Sequence, residues 1–161
     1  MKKIIIAFAV LAIALGITLI VSGILACSGF GKFDEESIDN FGTLIAYIFV
    51  LAIELFFVIM ILLGIPFLFT GSIALFAFFK EDLLRVRRHI RITVSINTPL
   101  LILILICVLN SIGMFFNWED KSLTVFKILI ILITALSIAV EVTAVIAGKK
   151  VKKQLIAEHL A

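Results

Sequence analysis

Three side chains fall where water is scarce and could do chemistry there. Glu54, Asn97 and Glu141 each sit inside a long apolar run. A carboxyl in the middle of a membrane-crossing helix costs roughly 2.5–3.5 kcal/mol on insertion scales. Such a group serves as a proton or cation site, or it makes a hydrogen bond to another helix or to a partner subunit. If its crossing starts at Thr43, Glu54 lies about 16 Å below the outer boundary, near the midplane. Lys127 is then about 10 Å higher, too far for an easy ion pair.

Glu141 stands on a stripe, Thr134, Ser137, Glu141, Ala144 and Gly148, whose 3-4-3-4 spacing makes one helix face polar and small. That face suits another helix better than lipid. Asn97 enters from the inner side at about the same depth. Just after it, Pro99 frees the carbonyl of Ser95 from its helical bond, and Pro66 does the same for Leu62. Broken backbone and polar side chains from three helices thus share one level. Two readings follow: an ion site framed by interrupted helices, or a hydrogen-bonded packing layer.

Other chemistries lack their residues. The only histidines are His89 and His159, both in polar segments, so neither a His-rich metal site nor a Ser–His pair within the membrane is available. There is no P-loop, HExxH or CxxC motif, and Gly29-Phe30-Gly31 lacks the third glycine of a dinucleotide loop. Asp34 to Asp39 fails the EF-hand spacing at Ile38. Cys27 and Cys107 sit at different depths, which argues against a disulfide. No cofactor or metal is expected, and the chain reads as a non-enzyme.

The elements that carry these residues follow from composition. The 161 residues are 63% hydrophobic and only 16% charged, with a mean hydropathy of +1.31. Soluble domains average about 45–50% apolar and about 25% charged. One crossing takes roughly 20 apolar residues. Four segments qualify: 4–26, 43–63, 92–116 and 123–147, followed by a tail over 148–161. The second is odd, because Phe41 to Phe79 is 39 residues with Glu54 as the only charge. At about 1.5 Å per residue that is nearly 60 Å, twice one crossing. A break or bend at Gly64-Ile65-Pro66 is the natural solution, leaving 67–79 as a kinked extension, an interfacial helix or a re-entrant piece. The expected fold is an all-α, integral membrane four-helix bundle in a single domain.

Charge sets the expected direction. Lys and Arg concentrate on the cytoplasmic side of membrane proteins. With four spans and the N-terminus inside, eleven of the 14 cations are cytoplasmic, and only Lys32, Lys121 and Lys127 are outside. A fifth span would reverse that balance. Both ends are therefore placed inside, with Tyr47 and Trp118 near the outer boundary.

Lys2-Lys3 before an apolar run ending Ile24-Leu25-Ala26-Cys27 resembles a bacterial lipoprotein signal, which would make Cys27 a lipidation site. The run is 23 residues, however, against roughly 7–15 for a signal core, and Leu25 fits poorly where a smaller residue is favoured. The segment also has a use of its own as a span. Ala9, Ala12, Gly16, Gly23 and Ala26 form a small-residue stripe that lets another helix come close.

Between the second and third spans, Leu83, Val86 and Ile90 share one face, with Arg85, Arg87, Arg88 and Arg91 around it. That pattern suits a helix resting on anionic headgroups. Membrane lipids, and another membrane protein or further copies of the chain, are the expected partners; nucleic acid is not. The expected function is an accessory subunit or immunity-type partner of another membrane protein. The alternative is a small oligomeric proton- or cation-coupled transporter or channel built on Glu54 or on Asn97 and Glu141. The short basic start and the lack of an N-x-Ser/Thr acceptor favour a bacterial cytoplasmic membrane.

Overall fold

The computed structural model describes residues 2–29, 41–110 and 121–160, and the side chains of 2–25, 55, 58–106 and 128–158. Ala26, Cys27, Tyr47, Glu54, Cys107, Trp118 and Lys127 have side chains outside the described residues, as does the acidic stretch from Asp34 to Asp39. Four helices are described: α1 (Lys2–Gly29), α2 (Phe41–Phe79), α3 (Leu83–Asn110) and α4 (Lys121–Leu160). Each is long and apolar enough to cross a membrane, and the protein is an integral membrane protein. Each helix packs on its neighbours in chain order, and α4 closes the ring against α1.

Heptad spacing builds this ring. On α3 the buried positions are Leu83, Val86, Ile90, Thr93, Asn97, Leu100 and Ile104, alternating three and four residues apart. On α4 they are Ile133, Ser137, Val140, Ala144, Ala147, Val151 and Leu155. An apolar repeat averaging close to 3.5 residues keeps one seam facing its neighbour along the whole helix. The outer faces carry exposed Val10, Ile17, Leu62, Phe69, Ile102 and Val142, as lipid contact requires.

The α1–α2 contact is the most extensive, and glycine makes it so. Gly16 and Gly64 face each other so closely that a Cβ built on either would stand 2.7 Å from the other's carbonyl oxygen. One heptad along, a Cβ on Gly71 would stand 2.9 Å from the Ala9 carbonyl. Ala9, Ala12, Gly16 and Gly23 are all buried. The helices run antiparallel in a register fixed by these two contacts.

α2 is continuous helix from Phe41 to Phe79 with Pro66 inside it, so of the expected break or bend at Gly64-Ile65-Pro66 the break is absent. α3 likewise runs unbroken through Pro99. A proline forfeits one backbone bond, whereas ending the helix in an apolar medium would leave several backbone groups unsatisfied. Gly64 has an ordinary helical φ, so it serves close approach and not a turn. The register places residues 54–76 of α2 level with residues 4–26 of α1. Residues 67–79 are therefore part of the bundle, with Phe67, Ala74 and Ala77 buried in the core. By the same count, the α2 backbone at position 54 stands opposite position 26, at the far end of α1 rather than at its middle.

α2 turns into α3 within three residues. The Asp82 N–H donates to the Ala77 carbonyl and the Glu81 N–H to the Phe78 carbonyl, the paired bonds of a Schellman cap. Glu81 takes the left-handed position with φ 60°, where glycine is usual. Asp82 then caps α3, its Oδ1 accepting from the Arg85 N–H at 2.9 Å. Because α3 starts this early, Leu83, Val86 and Ile90 are buried in the bundle and do not rest on headgroups as expected. α4 also continues as helix beyond residue 147 to Leu160, with Val151 and Leu155 in the core.

Candidate functional site

The heptad seams of α3 and α4 bring Asn97 and Glu141 together. The Asn97 Nδ2 donates to Glu141 Oε2 at 2.9 Å and to the Ser137 backbone carbonyl at 2.9 Å. Thr98, one residue on, places its Oγ1 3.2 Å from Glu141 Oε1. The stripe containing Thr134, Ser137, Glu141, Ala144 and Gly148 faces α3; an added Cβ on Gly148 would meet the Ile90 side chain at 3.7 Å. One α3–α4 pairing thus carries both the polar contact and the close approach.

Asn97 is completely buried, Glu141 is half-buried and Thr98 is exposed. The carboxyl therefore links the bundle interior to its outer surface. On that surface it is bordered by exposed Ile138, Val142 and Val145 on α4 and Ile102 on α3. A polar pair in such apolar surroundings is poorly matched to lipid tails.

Inward, the buried polar side chains form a file. Ser22, Thr70, Thr93, Asn97 and Ser137, all at most 6% exposed, occupy core positions on the seams of all four helices. Asn97 lies fourteen residues from the start of α3, about 21 Å from the α2–α3 turn. Counting back from Phe79 by the same rise reaches position 65 of α2, beside Gly64 and hence opposite Gly16. Ser137 is four residues, about 6 Å, beyond Glu141, and Ser22 is six residues, about 9 Å, beyond Gly16. The Thr70 and Thr93 hydroxyls donate to carbonyls on their own helices. Among the described residues, Asn97 Oδ1, Ser137 Oγ and Ser22 Oγ have no hydrogen-bond partner. Unpartnered buried polar atoms are uncommon and point to an ordered water or a ligand.

At the turn end of the bundle the cations gather. Lys2 and Lys3 of α1, Lys80, Arg85, Arg87, Arg88 and Arg91 around the turn, and Lys149, Lys150, Lys152 and Lys153 of α4 lie at this one end, all exposed except half-buried Arg87. Lys80 Nζ sits 4.6 Å from the centre of the Phe76 ring. Lys150, Lys153, Gln154 and Ala157 line a shallow open groove of about 270 Å³. Among the described residues no three His, Cys, Asp or Glu side chains come together as metal ligands would.

Sequence reading singled out Asn97 and Glu141 but overlooked Thr98, Ser22, Thr70 and Thr93. The heptad positions of the last three were available as a signal. Thr98 had none, because only the α3–α4 register brings it to Glu141. No protein-family model matches the chain, and comparison with curated proteins and with solved structures finds no match.

Proposed function

We propose that this is a non-enzymatic protein of a bacterial cytoplasmic membrane, with both termini in the cytoplasm, that binds another membrane protein through its α3–α4 face as an accessory subunit or immunity-type partner. The observation that carries this reading is the Thr98–Glu141 contact, a polar pair bordered by exposed apolar side chains on the outer face of α3 and α4. A partner helix would take it out of lipid and bond to it. The convergence of eleven cations at one end supports the orientation, since that end is then the cytoplasmic one. The α1 stripe does not supply the docking face, because Gly16 and its neighbours are used in the contact with α2.

Native mass spectrometry after gentle extraction from the source membrane tests the reading. A stoichiometric foreign subunit is expected, with its occupancy reduced by Thr98→Val and Glu141→Leu. A clean monomer or homo-oligomer from both wild type and variants refutes it.

The buried polar file favours one second reading, a small oligomeric proton- or cation-coupled transporter. On that reading Glu141→Gln abolishes coupled flux in liposomes while leaving assembly intact. Unchanged flux, or no flux in the wild type, removes it.

A further inference from the structure

The eleven cations at the turn end have no counter-charge of their own. Among the described residues, none of them lies within ion-pair distance of a carboxylate. The described carboxyls at that end are Glu81, Asp82 and Glu158, and two of these are engaged elsewhere. Asp82 Oδ1 caps α3, and Glu158 Oε1 accepts from Gln154 Nε2 at 3.0 Å. The positive charge is therefore left to anions in the surroundings.

One side of α4 does more than attract them. Leu132, Ala135, Ala139, Ile146, Lys150 and Lys153 recur at spacings of three, four and seven residues, so they line up along one side of the helix. All are exposed except half-buried Ala139, and the side is turned away from the buried seam of Ala144, Ala147 and Val151. It changes from apolar to cationic between Ile146 and Lys150. Glu141 meets Asn97 about 21 Å from the α2–α3 turn. Lys150 and Lys153 follow Glu141 by nine and twelve residues, which puts them about 3–8 Å from that end. A headgroup layer is about 5–8 Å thick on each side of the hydrocarbon core, so the lysines match it in height while the apolar positions reach into the chains.

Lys150 and Lys153, three residues apart, are neighbours on the helix surface. With Gln154 and Ala157 they line the shallow groove of about 270 Å³. Gln154 Nε2 spends one hydrogen on Glu158 and has a second to donate. Two ammonium groups and an amide N–H suit the oxygens of a phosphodiester.

We propose that this side of α4 is a binding site for a phospholipid with an anionic head group. The phosphodiester sits in the groove between Lys150 and Lys153, with Gln154 as a further donor, and an acyl chain runs along Ile146, Ala139, Ala135 and Leu132. A zwitterionic lipid brings its own cation to a groove that already holds two. The site shares no residue with the Thr98–Glu141 pair and rests on neither reading of the protein's function.

Native mass spectrometry of the whole protein in detergent micelles tests this, with phosphatidylglycerol or phosphatidylcholine of the same acyl chains added. Phosphatidylglycerol should be retained in preference. The double variant Lys150→Gln, Lys153→Gln should weaken its binding roughly 30-fold, from about fivefold for each lysine at a membrane surface. The double variant Arg85→Gln, Arg88→Gln removes the same charge from the same end and should leave this binding nearly unchanged. All four side chains are exposed, so both variants should fold, as helical circular dichroism checks. Equal retention of the two lipids, or wild-type retention by the lysine variant, overturns the proposal. Equal losses in the two variants would show general attraction to the charged end and overturn the groove. Displacement of the lipid by inorganic phosphate would show an anion site that needs no acyl chain, which overturns it too.

Discussion

Gly16→Ala and Gly148→Ala make the same chemical change in two apolar helices and should have opposite consequences. At Gly16 the new Cβ would meet the Gly64 carbonyl oxygen at 2.7 Å and two atoms of Leu68 at 2.9 Å. The carbonyl and the Leu68 nitrogen are backbone and cannot rotate away, so α1 and α2 must separate. Ordinary contact begins near 3.4 Å, which asks for about 0.7 Å of movement along a seam where Ala9 and Gly71 are just as close. Overpacking of this kind costs typically about 1–3 kcal/mol. At Gly148 the nearest atom is a methyl of Ile90 at 3.7 Å, an ordinary contact.

Both substitutions gain the same helix propensity, about 0.8–1.0 kcal/mol in water. That gain cancels in the comparison, and the steric term remains. Gly148→Ala should therefore be neutral or mildly stabilising, and Gly16→Ala should lie about 1–3 kcal/mol below it. This difference corresponds to roughly 5- to 150-fold in the folding equilibrium, at about tenfold per 1.4 kcal/mol. Reversible unfolding in mixed detergent micelles, followed by helical circular dichroism, measures it. Equal stability of the two variants would refute the close α1–α2 approach and with it the register that moves residues 54–76 of α2 into the bundle.

Three further outcomes are expected. Asn97→Leu and Glu141→Leu should show a coupling of about 0.6–1.7 kcal/mol in a double-mutant cycle, the range found for interhelical hydrogen bonds in membranes; zero coupling would mean that the α3–α4 contact is not formed. Glu81→Gly should stabilise the bundle by about 0.5–1 kcal/mol, because the position is left-handed and a side chain there is strained; a loss in melting temperature would contradict the turn geometry. Pro66→Ala should raise stability by up to about 3 kcal/mol, because it restores a backbone bond inside a continuous helix. Destabilisation would show instead that α2 depends on the proline.

The sequence alone determined the class of the protein. Four long apolar runs admit only helices in a membrane, because a backbone without water must bond to itself. The marking of Asn97 and Glu141 was legible for the same reason: a polar group in such a run needs a partner. Tertiary structure decided which partner and at what height. Gly64-Ile65-Pro66 is ambiguous in sequence, since glycine serves both a turn and a close approach; only the facing Gly16 selects the second. That one contact slides α2 by about eleven residues and carries position 54 from the middle of a span to the level of its end. The pairing of Thr98 with Glu141 depends on the α3–α4 register, which no local pattern in either helix encodes. Periodicity tells a helix which face to bury, but the register between two such faces is fixed by the few places where backbones touch.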